Sequence, residues 1–325
     1  MSLRHRLGAL AYDWPRFLRH GVAGDANLMR NRAEHIVTDG RGVRCDWLYT
    51  SELHLANVYP STSRTLLRRS LNAWPIALRD APSITTTPKV SFLIGHRGLE
   101  RLPNLLLTLR SIAGQNEAIE CIVIEQSATR EIEAALPPWV RYLHTPVDAN
   151  LEYCRAATFN EAVRIARGKV IVAHDNDMLV PQRYAAELVE RAAEGWQFID
   201  LKRFIFYLSE VDTRALFDGA PLRDDHATVI VQNLKGGSIA ATKDAYLAIG
   251  GFDEGFVGWG GEDLEFWERA RAYGRVYEYG YLPIVHLWHR AQPGKVDRGG
   301  APALRRYEEL RAIAPEERIR RLRER

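Results

Sequence analysis

Short apolar runs that end in polar or charged residues recur through the middle of this chain, separated by stretches with helical spacing. Val90-Ser91-Phe92-Leu93-Ile94 gives way to Gly95-His96-Arg97-Gly98, which reads as a loop, and Leu102 to Ile112 then repeats its apolar positions at helical intervals. A second run, Cys121-Ile122-Val123-Ile124, ends in Glu125-Gln126-Ser127, and a third, Val170-Ile171-Val172-Ala173, ends in His174-Asp175-Asn176-Asp177. Strands alternating with helices predict an α/β protein whose mainly parallel sheet is covered on both faces. In open sheets of this kind ligands sit beyond the carboxyl ends of the strands, so the chemistry is expected at that edge.

The flanks read differently. Residues 1–88 carry no strong strand pattern and close in a Pro/Thr-rich connector, Asp80-Ala81-Pro82-Ser83-Ile84-Thr85-Thr86-Thr87-Pro88, so they read as an accessory region. Residues 89–292 read as the α/β domain. Residues 293–325 read as a charged helical tail interrupted near Pro315, and a solvated or packing face is the expectation for it. Loops such as Phe204 to Asp225 are expected to set acceptor specificity. No internal repeat is present.

Charge narrows the classes of partner. The net charge is +3 over 325 residues, and residues 302–325 alone hold eight Arg and five Glu, so the rest of the chain is formally neutral. Such a body lacks the general basic character of a nucleic-acid binder. Three widely spaced cysteines, Cys45, Cys121 and Cys154, fit neither a disulfide framework nor a thiolate metal site, and a reducing compartment follows. Arg4, Arg6, Arg16 and Arg19 interrupt every apolar run near the N-terminus, which argues against a signal peptide or a spanning helix. A cytoplasmic protein is expected. The same segment reads as a docked surface helix or as one lying on an anionic membrane through Leu7, Leu10, Trp14, Phe17 and Leu18.

Three motifs carry candidate chemistry. Asp175-Asn176-Asp177 after a buried strand offers two carboxylates suited to Mg²⁺ or Mn²⁺ bridging a diphosphate, or a turn. His286-Leu287-Trp288-His289 follows the apolar run Tyr281-Leu282-Pro283-Ile284-Val285 and places two imidazoles three apart, which with carboxylate suits Mn²⁺ or Zn²⁺; His286 reads equally as a structural residue. Gly250-Gly251-Phe252-Asp253, followed by Gly258-Trp259-Gly260-Gly261-Glu262-Asp263, brings an indole and two acids to the start of the helix predicted over Leu264 to Arg271. Charge compensation at a helix N-terminus is the plainer reading of those acids. Neither a phosphate loop nor G-x-G-x-x-G follows the first strand.

In order and spacing these pieces resemble the β-1,4-galactosyltransferase family of GT-A glycosyltransferases and bacterial chondroitin-polymerase-like family 2 transferases. The resemblance runs from Lys89 to about residue 292, through Tyr153-Cys154-Arg155-Ala156, Asp175-Asn176-Asp177, Gly236-Gly237-Ser238 and Trp259-Gly260-Gly261-Glu262-Asp263. It implies a Rossmann-like GT-A fold, a nucleotide and donor pocket lined by Arg97, Glu125, Tyr153, Arg155, Asp175, Leu234 and Gly237, and a Mn²⁺ held by Asp177 and His289. It further implies that Asp263 deprotonates the acceptor, Glu262 holds a sugar and Trp259 stacks on one. Leu234 stands where those enzymes have a Tyr that narrows the donor site, His286 where they tend to have Met, and Gly95-His96 where they have a Pro-aromatic pair. The implied activity is inverting, metal-dependent transfer of a hexose or N-acetylhexosamine from UDP-Gal, UDP-GalNAc or UDP-GlcNAc to a glycan or lipid-linked hydroxyl, in a bacterial cytoplasm or at the inner membrane. A retaining GalNAc-transferase-like enzyme, a non-catalytic sugar-nucleotide or glycan-binding module and a metal hydrolase are the alternatives.

Overall fold

The apolar runs assemble into two sheets in the computed structural model, which describes residues 3–30, 34–40, 42–45, 50–222, 227–258, 260–290 and 302–324. In chain order the strands are β1 (Ile36–Asp39), β2 (Gly42–Cys45), β3 (Ser51–Glu52), β4 (Val90–His96), β5 (Ile119–Ser127), β6 (Arg141–Pro146) and β7 (Val170–His174). They continue with β8 (Met178–Leu179), β9 (Phe198–Ile199), β10 (Lys202–Leu208), β11 (Ala227–Gln232), β12 (Ser238–Thr242), β13 (Val276–Glu278) and β14 (Leu282–His286). The larger sheet runs β1-β2-β13-β9-β12-β7-β4-β5-β6 and the smaller β3-β11-β10-β14-β8.

Four neighbouring strands of the larger sheet, β7, β4, β5 and β6, are mutually parallel, as the strand-helix alternation predicts. Their helices cover both faces. Leu105, Leu109 and Ile112 of one helix and Tyr184 and Leu188 of another pack on one side, while Phe159, Phe252, Phe266 and Trp267 fill the other. This two-sided burial is why β4, β5 and β7 read as continuous apolar runs and not as alternations. Parallel register sets His96 beside Glu125 and Leu93 beside Ala173, so the polar ends of all three strands share one edge.

Three local expectations are corrected. Gly95 and His96 belong to β4 and not to a loop, since they pair with Ile124 and Glu125 of β5, and the missing side chain at Gly95 leaves room for the Tyr153 hydroxyl and Thr158. The stretch Phe204 to Asp225, expected as a loop, holds most of β10 and the helix Glu210–Phe217. Its apolar run Phe204-Ile205-Phe206-Tyr207-Leu208 is a buried strand, and Ser209 caps the helix by accepting from Asp212 N at 3.1 Å. Residues 36–52, read as strand-poor, supply β1 and β2 to the larger sheet and β3 to the smaller.

Phe17, Leu55, Leu66 and Leu67 share a core with Phe204, Phe206, Val285 and Leu287, which binds the N-terminal residues to the smaller sheet. A buried ion pair reinforces the seam: Arg203 Nη1 lies 2.9 Å from Glu34 Oε1, and the guanidinium donates to Met29 O. The tail forms helices Pro302–Leu310 and Pro315–Arg323, and its buried Arg318 and Ile319 dock against the helix Glu262–Tyr273.

Candidate active site

Asp175, Asn176 and Asp177 occupy the turn between β7 and β8, at the shared edge of the parallel strands. Adjacent in sequence, the two aspartates serve different neighbours. Asp177 turns toward the end of β14: its Oδ2 lies 3.3 Å from His289 Nε2, its Oδ1 lies 3.7 Å from His286 Nε2, and its carbonyl accepts from Leu287 N at 2.8 Å. One ligand atom from each of Asp177, His286 and His289 falls within 4.8 Å of the others. His286 stacks on Tyr207, ring centroids 4.2 Å apart, which fixes the plane of the imidazole.

This donor set fits a divalent cation. Two imidazole nitrogens and one carboxylate suit Mn²⁺ or Zn²⁺, and Asp177 Oδ1 is buried with no hydrogen-bond partner, a costly state for a charged oxygen. Arg101, which the sequence did not single out, also reaches the cluster, with Nη1 3.2 Å from Asp177 Oδ2 and Nη2 3.0 Å from His289 Nδ1. Burial pushes the Asp177 carboxyl up, but His286, His289 and Arg101 together outweigh it and hold the group below its ordinary value.

Asp175 faces the other way, to Arg155. That guanidinium is a hub: Nε donates to Asp175 Oδ1 at 2.8 Å, and Nη1 donates to Asp263 Oδ1 at 2.8 Å and approaches Glu262 Oε1 at 3.5 Å. Its flat face lies 4.7 Å from the Phe159 ring centre. Burial, then Asp177 and Asp263, push Asp175 up to about 6 against the pull of Arg155. Burial and Asp263 likewise push Glu262 up to about 7.

Glu262 and Asp263 open the helix Glu262–Tyr273, whose cap residue Gly261 has φ 89°, a left-handed conformation that favours glycine. With no side-chain cap there, the unsatisfied amides of the first turn favour acids at those positions. The Asp263 carboxylate lies against Gly236 so closely that a side-chain carbon there would overlap Oδ2. Gly237, with φ 82°, donates nothing to the site through a side chain but accepts from Asp175 N at 2.8 Å, and Leu234 lies over it.

The remaining sequence candidates stand along the same edge with internal partners. Glu125 accepts from Tyr142 Oη, Ser127 Oγ and the amide of Glu131, which shape the loop after β5. Arg97 donates to the carbonyls of Leu151 and Ala149, and the Tyr153 hydroxyl lies 3.3 Å from Thr158 Oγ1. Trp259 lies outside the described residues. Beside His289 opens a cavity of about 470 Å³ lined by Asn104, Thr213, Phe217, Trp288 and Arg290 among others. The helix Glu210–Phe217 forms one wall of it, in the stretch misread as loop.

Two family models match overlapping parts of this chain: glycosyl transferase family 2 over residues 99–238, and the N-terminal domain of galactosyltransferase over residues 226–280. Between them they contain Arg155, Asp175, Asp177, Glu262 and Asp263. Among solved structures the chain is similar to the mannosyltransferase PcManGT from Pyrobaculum calidifontis, in complex with GDP-Man and Mn²⁺, at 16% identity and a TM-score of 0.44 over 81% of this chain and 80% of that one. No curated protein matches it.

Proposed function

We infer from one premise, that this chain is a glycosyltransferase of the GT-A class, that it is an inverting, metal-dependent enzyme moving a hexose or N-acetylhexosamine from a UDP-sugar to a glycan or glycolipid hydroxyl. The observation that carries the reading is the placement, on either side of the Asp175–Asp177 turn, of the Asp177, His286 and His289 cluster and of the acids Glu262 and Asp263, which Arg155 ties to Asp175. Asp177, His289 and His286 would hold the cation; when bound, it supplies charge neutralisation for a departing diphosphate.

The chain's own groups do the rest. Asp263 stands as the base: the acceptor oxygen attacks the anomeric carbon, the bond from that carbon to the diphosphate oxygen breaks, and the acceptor proton passes to the Asp263 carboxylate. Arg155 and the helix terminus hold that carboxylate in place. Glu262, its carboxyl raised toward neutrality, is suited to hydrogen-bond a sugar hydroxyl as donor or acceptor. Arg97, Glu125 and Tyr153 shape the nucleotide side of the edge, and Trp259 is assigned to sugar stacking by resemblance. Leu234 in place of a Tyr leaves room for an N-acetyl group. The cavity beside His289, with Trp288 and Phe217 in its wall, is assigned to the acceptor.

Thermal denaturation with nucleotides and sugar nucleotides, in Mn²⁺, Mg²⁺ or EDTA, tests the donor side, because a ligand of the native state raises its melting temperature. UDP compounds are expected to raise it only with metal, and Asp177→Ala to abolish the rise. A rise with guanosine diphosphates in place of UDP would overturn the donor assignment. Asp263→Asn is expected to lower transfer by about 10²–10⁴-fold while leaving the metal-dependent rise intact, and full transfer by that variant would remove Asp263 as the base. Anomeric analysis of the product by NMR separates inversion from retention.

A further inference from the structure

The N-terminal segment presents two apolar faces, and only one is covered. Residues 3–22 are helical throughout. Phe17 is buried, Trp14 packs on it at 5.5 Å and on Tyr59 at 5.9 Å between ring centroids, and Gly21 sits against Phe17 and Leu66. These contacts fix the segment to the core that also holds Val285 and Leu287, neighbours of His286. Away from them Leu3, Leu7, Leu10, Tyr12, Leu18 and Val22 stand exposed, Leu3 by 72% and Leu7 by 56%. Six of the fifteen exposed large hydrophobics among the described residues thus fall within twenty residues. Scattered apolar side chains on a surface need no explanation, but a concentration of this kind does.

Charge says what the face meets. Arg4, Arg6, Arg16 and Arg19 stand against the single acid Asp13 in residues 3–22, within a body that is formally neutral outside its tail. Exposed leucines with interspersed arginines on a docked helix match the boundary of an anionic bilayer, where the side chains enter the headgroup region and the guanidiniums meet lipid phosphates. A second copy of the same face would bring arginines against arginines. None of the helices among the described residues is long and apolar enough to cross a membrane, so contact through this segment is along the surface. We propose that residues 3–22 form a peripheral docking face for anionic lipid, which holds the catalytic edge near membrane-borne acceptors.

Co-sedimentation of the full chain with vesicles of phosphatidylcholine, with and without phosphatidylglycerol, tests the face directly. Binding is expected only with phosphatidylglycerol and is expected to fall with salt. Leu7→Glu, Leu10→Glu and Leu18→Glu combined should abolish it, with melting temperature unchanged because these side chains are exposed. Should the combined variant fold poorly, Arg4→Gln, Arg6→Gln and Arg19→Gln leave the apolar face intact and should each weaken binding about fivefold. Absence of binding to either vesicle, retention of binding by the leucine variant, or a dimer in sedimentation equilibrium that this variant dissociates would overturn the proposal. Vesicle binding does not depend on the donor or on turnover, so its outcome is separable from the proposed activity.

Discussion

Arg155 holds three carboxylates, and its position decides how the site responds to protons. Without it, Asp175, Glu262 and Asp263 would be like charges crowded at a buried edge. Even with it, Glu262 rises from an ordinary value of 4.5 to about 7. A carboxyl raised in the folded state contributes stability that is complete below the unfolded value and is lost as pH rises through the folded one. The protein is therefore expected to lose stability between about pH 4.5 and 7 on account of Glu262, with no further change from this group above that range. Denaturant unfolding of wild type and Glu262→Gln across pH checks this, since the variant should lack that decline; parallel curves would contradict it. The group also remains partly protonated near neutrality, so transfer should change with pH through the same interval if the sugar contact is as assigned.

The helix Glu262–Tyr273 delivers both acids, and the two tail helices brace it. Arg318 pairs with Glu265 at 3.3 Å and with Glu268 at 2.7 Å, while Arg269 pairs with Glu265 and donates to the carbonyls of Ile249 and Gly251. Arg306 pairs with Asp253, Tyr307 donates to Glu268, and Gly250 and Gly261 leave space that Leu322 and Tyr307 occupy. Breaking one partner of such a buried network strands a charge and costs about 3–5 kcal/mol. Because Arg269 still pairs with Glu265 and Glu268 is partly exposed, Arg318→Ala stops short of that and is expected to destabilise by about 1.5–3 kcal/mol and to speed amide exchange in residues 250–263, measured by hydrogen-exchange mass spectrometry. Unchanged exchange there would mean the tail does not support the acids. The motifs themselves were legible, because glycine chemistry, acids at a helix start and polar strand ends are local properties of sequence. Their pairings were not: Arg155 is placed at the site only through the resemblance, and Arg101 and Arg318 meet Asp177 and Glu265 across long separations with nothing local to set them apart from other arginines. The misread 204–225 stretch is different, since its five-residue apolar run already carried a strand pattern.

The N-terminal 88 residues and the α/β body are bound through strands, core and charge. β1 and β2 extend the larger sheet from β13, β3 pairs with β11, and Glu34 neutralises the fully buried Arg203. A chain beginning at residue 89 would uncover Phe204, Phe206 and Leu287 and leave Arg203 without its acid. It is expected to aggregate or to unfold without a sharp transition, as judged by size exclusion and urea denaturation, and a monomeric fragment with cooperative unfolding would show the two parts to be separable. The two-sheet plan also gives the candidate cation cluster a second meaning. Asp177 lies in the turn that carries the chain from β7 of one sheet into β8 of the other, and His286 ends β14 beside β8. A cation held by them in the folded state would join positions about a hundred residues apart in the chain and would stabilise that state through its own binding free energy. Such an ion would act as a removable clasp, and stripping it with a chelator should shorten the half-life of the native state in denaturant.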